Sequence, residues 1–390
     1  MKTNDDLRPL ILDLGSNFFR LGWAGEDFPD VVAPSVYVNV SDYLFKSDDI
    51  EGLKEIYIKG DFQEYLMGAD ALKYQNILRV HEIKKEANFN IFMKFFLYFY
   101  TYHLSISSEN QFKQPIIIIA PFFMSEIEKA KYKEMFIDTM NFPGVLFLSE
   151  SQAILSTLQK TSGVIVNIGE SNSYISSIFH GFTNIMAREV FPIAGTHLTD
   201  YMLNLILSNI KAGNAAYIDR LIAKEVKDKL SLCVMDADAE KKRIDEGLTK
   251  YNRTIDLPDG SNLELNAERF LVAEPIFDPR LIHIDYVGLP EAISKVIRTW
   301  DRENWEELLP NIIISGGGSL IPGLEERLEN EIKKYFAEKI SDKINVIAVS
   351  GRENMSWIGA SILYSRDQLK KGWILHPSLN DSEMSEGPPD

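Results

Sequence analysis

The sequence predicts an α/β fold built on a duplicated core. Residues 11–17 read Ile-Leu-Asp-Leu-Gly-Ser-Asn and residues 165–172 read Ile-Val-Asn-Ile-Gly-Glu-Ser-Asn, so an apolar strand runs into a glycine turn twice. A third apolar run, Asn311 to Ile314, leads into Ser315-Gly316-Gly317-Gly318-Ser319 and then a helix from about Pro322. Without a Cβ, such turns let backbone N–H groups converge on an anion. Three of them, two related, suggest two halves closing on one phosphate chain from both sides. Neither G-x-x-x-x-G-K-[ST] nor G-x-G-x-x-G occurs, so the chain carries neither a Walker loop nor a dinucleotide fingerprint.

Along the chain, Leu10-Ile11-Leu12 forms a strand ending in Asp13, followed by the turn Gly15-Ser16-Asn17 and a second strand, Phe18 to Ala24. Asp13 stands where its carboxylate could hold a divalent cation through water, as Mg²⁺ prefers. Arg20, on the returning strand, could reach the same phosphates. A tight hairpin with a solvated aspartate is the other reading. Residues 36–67 hold aromatics and charges (Tyr37, Tyr43, Phe45, Asp48, Asp49, Tyr57) without a clean period. The apolar segment Ile91 to Leu104, interrupted by Lys94 and His103, is too short to span a bilayer and reads as a buried helix.

Ile116 to Ala120 is a continuous β-branched run, the pattern of a buried parallel strand. Ser125 to Met140 reads as one helix, with Ser125 and Glu128 forming a capping box. Val145 to Leu148 is a strand, and Ser149 to Leu158 a helix carrying Gln152. Strands 163–168 and 173–179 make the second hairpin. Helices follow at Leu198 to Asn209, Ala216 to Met235 and 284–299; Trp300 and Trp305 are expected to pack. The polar, acidic stretch Ser378 to Asp390 is expected to be disordered.

Length and composition bound the rest. A chain of 390 residues has room for two or three domains. Hydrophobic residues at 45% and charged residues at 25% are globular values. The net charge of −16, from 57 acidic and 41 basic residues, argues against nonspecific nucleic-acid binding and suits either solubility or basic partner surfaces. The single cysteine, Cys233, rules out an intramolecular disulfide and fits a reducing compartment; its apolar helical run makes it a small core residue. The opening MKTNDDLRP lacks the apolar core of a signal peptide.

Several motifs together resemble actin and the actin-related proteins. They are the first turn with Gly22-Trp23-Ala24-Gly25-Glu26-Asp27, Pro29 and Pro34-Ser35, then Ala194-Gly195 with Leu198-Thr199-Asp200-Tyr201. Next come Leu257-Pro258-Asp259-Gly260 with Glu268-Arg269-Phe270, the glycine run with Pro322-Gly323, and Ser356-Trp357-Ile358-Gly359-Ala360-Ser361-Ile362-Leu363. They follow the family's order from residue 10 to 374, with sparse matches between them, which marks a divergent member.

The resemblance implies an actin-like ATPase fold, two halves around a central nucleotide cleft, each with an inserted subdomain. On that pattern subdomain 1 takes residues 1–34, 83–159 and 355–390, and subdomain 2 takes 35–82. Subdomain 3 takes 160–193 and 282–354, and subdomain 4 takes 194–281. Gly68-Ala69-Asp70-Ala71 resembles a family turn. A family histidine falls near Glu86, and His81 does not align with it.

The resemblance also implies ATP and Mg²⁺ as cofactors. Gly15, Ser16, Asn17, Phe18 and Arg20 on the first hairpin would cradle the phosphates with Gly169, Glu170 and Ser171 on the second. Gly195, Lys227 and Asp228 would flank the ribose and base, and Gly316, Gly317, Gly318, Ser319 and Leu320 would back the adenine. Arg20 replaces the family's lysine, Ile321 an aromatic and Glu353 a lysine. Hydrolysis in the family uses the first aspartate, here Asp13, and a glutamine, here Gln152. It also uses a second aspartate and a histidine, which in this chain read Asn167 and Tyr174. Asparagine accepts no proton, and tyrosine, with a pKa of about 10, is a poor base at neutral pH.

The expected function is therefore an ATP-binding actin-like protein of the cytoplasm and cytoskeleton. It would act by assembly into filaments or a complex, with slow or absent hydrolysis. Its partners would be copies of itself, other actin-family proteins or actin-binding regulators, with neither nucleic acid nor membrane. The loop Ile282-His283-Ile284-Asp285-Tyr286-Val287-Gly288 stands where the family uses an apolar loop between filament strands. A fully active polymerising ATPase and a small-molecule kinase on the same core are the alternatives. The Leu257–Gly260 and Ser356–Gly359 segments speak against the kinase. A DnaK-type chaperone would need a further substrate-binding domain.

Overall fold

The computed structural model describes residues 8–44, 64–84, 88–104, 106, 110–209, 218–257, 260 and 262–379. Tyr57, the Glu86 position, Pro258 and Asp259, and the expected disorder of the tail beyond residue 379 lie outside the described residues, as do Phe45, Asp48 and Asp49. The chain divides into two compact units, Met1–Thr157 with Ser356–Asp390, and Leu158–Met355.

The first unit is built on a six-stranded sheet. β1 (Leu10–Leu14) pairs antiparallel with β2 (Phe18–Trp23), and β2 with β3 (Val31–Pro34). β4 (Val36–Tyr43), β5 (Tyr65–Met67) and β6 (Leu78–Glu82) form a separate three-stranded sheet in the order β5-β4-β6. On the other flank of β1 run β7 (Ile116–Ala120) and β8 (Gly144–Ser149), both parallel, and a closing strand Ile374–Leu375. All five residues of β7 are buried, as its unbroken apolar run requires. Fully burying each of its four isoleucines stabilises the unit by about 1.5–3 kcal/mol.

The second unit repeats this order. β9 (Gly163–Ile168), β10 (Ser173–Phe179) and β11 (Phe182–Phe191) form an antiparallel meander. β12 (Arg253–Asp256) and β13 (Asn262–Leu265) make a small hairpin apart. β14 (Ile312–Ser315) and β15 (Val346–Ile347) then run parallel to β9. Each sheet thus grows from one strand that begins a meander on one side and a parallel set on the other, the duplication expected of this α/β fold.

Several helices differ in extent from the sequence reading. Phe89–His103 is a helix as expected but is buried on one face only, with Lys94 and Tyr102 exposed on the other; Asn88 starts it, its side chain accepting from the N–H groups of Asn90 and Ile91. The capping box of Ser125 and Glu128 is present, but the α-helix ends at Lys133 and continues as a π-turn over Glu134–Thr139. Met135, Phe136 and Ile137 are all buried there. Three successive residues of an α-helix fan over about 200°, too wide for one face, and the wider turn draws them together.

The helix expected over Ala216 to Met235 spans only Arg220–Leu230. Asp219 caps its start, and Ser231 turns extended and donates its hydroxyl back to the Lys227 carbonyl. Cys233 therefore lies beyond the helix, where its N–H bonds the Pro322 carbonyl at 2.7 Å, and it is buried as expected. Burial pushes its thiol up to about 12.

The helix expected over 284–299 is shortened to Leu289–Arg298, with Pro290 in its first turn. The residues before it form a 3-10 turn, Pro279–Ile282, and a loop. Trp300 and Trp305 pack, their indole N–H groups bonding Ser177 Oγ at 2.7 Å and the Trp300 carbonyl at 3.0 Å.

Candidate functional site

The first hairpin is set by the register of β1 and β2, which places Asp13 opposite Arg20 and Leu14 opposite Phe19. Its turn closes with the Gly15 N–H bonded to the Phe18 carbonyl at 3.0 Å. A Cβ on Gly15 would stand 2.7 Å from that same carbonyl oxygen, so only glycine permits the closure. Ser35 pins the turn from outside, its hydroxyl donating to the Gly15 carbonyl at 2.8 Å and its N–H to the Asn17 carbonyl at 2.9 Å. Ser16 and Asn17 are half-buried at the tip, and Phe18 is exposed.

Asp13 is buried, and its Oδ2 is held twice. Arg20 Nη1 lies 3.3 Å away and the Ser356 hydroxyl donates at 2.9 Å. Trp357 fixes the strand beneath by donating from its indole to the Ile11 carbonyl at 3.1 Å. A second cation reaches the same hairpin, for Lys84 Nζ donates to the Leu14 carbonyl at 3.1 Å. Gln152 is exposed in the first turn of the helix Glu150–Thr157.

The second hairpin repeats the first. The register of β9 and β10 sets Asn167 opposite Tyr174, the positions that Asp13 and Arg20 hold on the first. The Gly169 N–H bonds the Asn172 carbonyl at 3.0 Å, and a Cβ on Gly169 would come within 2.6 Å of that oxygen. The two closures match in span, geometry and need for glycine. Their charge does not: an ion pair on the first hairpin is replaced by an amide and a phenol on the second. Tyr174 is 1% exposed, within the unit's interior, which suits it even less to accept a proton from water.

Glu170 and Ser171 form the second turn's tip, Ser171 exposed. Glu170 is tied to the start of the helix Gly195–Asn209, its carbonyl accepting from the Thr196 N–H at 2.8 Å. Its carboxylate lies so close over Gly195 that a Cβ there would meet Oε2 at 2.5 Å. Two lysines of the helix Arg220–Leu230 face it, Lys224 Nζ 3.9 Å from Oε1 and Lys227 Nζ 3.7 Å from Oε2. Lys227, itself buried, also donates to the Gly195 carbonyl at 3.1 Å and lies 3.3 Å from Asp228. Glu170, Gly195, Lys227 and Asp228 thus form one cluster.

The third glycine turn leaves β14. Gly316 has φ +83°, and a Cβ there would stand 2.3 Å from Asn167 Oδ1, so this turn abuts the second hairpin. Gly317 to Leu320 form a 3-10 turn, with Gly317 open on its Cβ side and a Cβ on Gly318 2.6 Å from Ile168. Ser319 is locked by Arg352, which donates to its hydroxyl at 3.0 Å and its carbonyl at 2.8 Å. Leu320 is exposed, whereas Ile321 is buried in the core.

These cradles fit a polyphosphate, since both hairpins close only with glycine and cationic side chains stand at each. The residues do not fit a resident divalent cation. Asp13 is neutralised by Arg20, Asn167 is an amide, and Glu170 faces two lysines. Among the described residues no group of three or more His, Cys, Asp or Glu could hold a metal ion. Sequence reading missed Lys84, Lys224, Ser356 as a ligand of Asp13, and Arg352. Lys224 alone had a signal, standing one turn before Asp228 on a recognised helix.

Comparison with known proteins agrees with this architecture. The actin-like protein of Neurospora crassa is 26% identical over 372 residues, 94% of this chain and 93% of that relative. A family model described as Actin matches residues 4–382. The chain belongs to the actin family.

Proposed function

We propose that this protein binds ATP and works by assembly, either with copies of itself or with other actin-family proteins and their regulators, in the cytoplasm or on the cytoskeleton. Asp13, Gly15, Ser16, Asn17, Phe18 and Arg20 are phosphate-binding residues on the first hairpin, and Gly169, Glu170 and Ser171 are phosphate-binding residues on the second. Gly195, Lys227 and Asp228 take the ribose, and residues 316–320 the base. The four-part subdivision laid out above belongs to the same reading, as does slow or absent hydrolysis.

The observation that carries it is the twin closure, Gly15 N–H to Phe18 O and Gly169 N–H to Asn172 O, both 3.0 Å. Both turns close on a glycine whose Cβ would meet a carbonyl oxygen, and both end the corresponding strand of the duplicated core. A ligand that binds only the folded state raises stability by about 2.7 kcal/mol at a hundredfold excess over its dissociation constant. Thermal melting with millimolar ATP is expected to show a clear upward shift that Gly15→Val abolishes. An unshifted melting curve removes the nucleotide from the reading. Among the described residues no helix is long and apolar enough to cross a membrane.

A further inference from the structure

We propose that this protein binds its nucleotide as the metal-free polyphosphate, with Arg20 and Lys84 supplying the countercharge that a divalent cation would otherwise bring. The inference rests on the nucleotide reading above and specifies its ligand more narrowly. A bound divalent cation performs two tasks in a phosphate site: it offsets phosphate charge, and through its water shell it satisfies nearby carboxylates. In this chain protein groups perform both.

The carboxylate task falls to Arg20 and Ser356. Asp13 Oδ2 has the guanidinium at 3.3 Å and a hydroxyl donor at 2.9 Å, both from the same unit. A buried carboxylate held this way needs no cation and presents little net negative charge to an incoming phosphate. The Arg20 guanidinium also lies directly under the turn, for a Cβ on Gly15 would be 3.6 Å from its Nη1. Lys84 performs the offset. With its ammonium 3.1 Å from the Leu14 carbonyl, one residue before Gly15, Lys84 adds a second cation beside the Arg20–Asp13 pair among the described residues. On the second hairpin, Asn167 adds no charge to be screened, and Glu170 faces Lys224 and Lys227 rather than open space. Among the described residues, neither hairpin presents an uncompensated carboxylate.

The test is nucleotide affinity in Mg²⁺ and in EDTA, followed by thermal melting and by quenching of a fluorescent ATP analogue on the purified full chain. Affinity in EDTA is expected to stay within about threefold of that in Mg²⁺. Lys84→Met, at a half-buried site, is expected to weaken metal-free binding by about tenfold. It should weaken Mg²⁺-ATP binding less, so that the variant becomes metal-preferring. Arg20→Leu is expected to do the same if it folds, and Ser356→Ala to a smaller degree. A loss of more than tenfold for the wild type in EDTA overturns this inference and leaves nucleotide binding intact. So does Lys84→Met binding metal-free ATP as the wild type does. Absence of binding in both conditions removes the nucleotide reading, and this inference with it.

Discussion

Asp13 and Asn167 hold equivalent places on two hairpins of the same geometry, so the difference between them is chemical. One is a carboxylate paired with Arg20; the other is an amide whose Oδ1 faces the Gly316 backbone. Loss of a positioned proton acceptor costs about 10²- to 10⁴-fold in rate. Single-turnover phosphate release is therefore expected to be slow for the wild type and faster for Asn167→Asp combined with Tyr174→His. Glu170→Gln is expected to change it little, because the Glu170 carboxylate is engaged by Lys224 and Lys227. Fast release abolished by Glu170→Gln would make Glu170 the acceptor and overturn the assignment. The sequence places Asp13 and Arg20 on facing strands of one hairpin but reads them as a cation ligand and a phosphate contact; their pairing with each other emerges only from the register of the two strands. Lys84 and Ser356 were not legible in the sequence, because they arrive from 70 and 343 residues away. No local pattern encodes such contacts.

Elements with one strong local signal stood out in the sequence, and those shaped by their surroundings did not. Both glycine hairpins, the isoleucine strand β7 and the Ser125 cap were readable from turn chemistry, β-branching and spacing alone. The π-turn at Glu134–Thr139 and the early end of the helix at Leu230 carry no such signal, whereas the late start of the next helix at Leu289 did have one, Gly288 and Pro290, that the sequence reading passed over. The loop before Leu289 shows the consequence for function. Ile282, Ile284 and Val287 are half-buried and packed against the core of the second unit, and the Tyr286 hydroxyl bonds Glu189. Leu281 is the exposed apolar residue beside them. Burying an unpaired charge in such packing is destabilising. Ile282→Asp with Ile284→Asp is thus expected to lower the melting temperature by several degrees, before any effect on assembly is considered. Unchanged melting with lost pelleting would instead make these residues an assembly contact.

The duplication of the core could be anticipated from one recurring strand-to-glycine motif, whereas the small sheet β5-β4-β6 could not, its residues having no clean period. Net charge carries a further consequence for how whole chains meet. At −16, two copies repel one another at long range, and that repulsion reaches about 10 Å at 0.1 M monovalent salt and about 30 Å at 0.01 M. Assembly between like-charged copies therefore strengthens as salt rises, until short-range contacts alone decide it. Docking of the same acidic surface on a basic partner runs the other way, because screening removes the attraction. Sedimentation of the purified chain with fixed ATP, across about 0.02 to 0.3 M monovalent salt, separates the two modes. Pelleted fraction is expected to rise with salt and to fall back on dilution into low salt. A pelleted fraction that falls as salt rises, or a chain that pellets only when a basic protein is added, would replace self-assembly with capture by a partner of opposite charge.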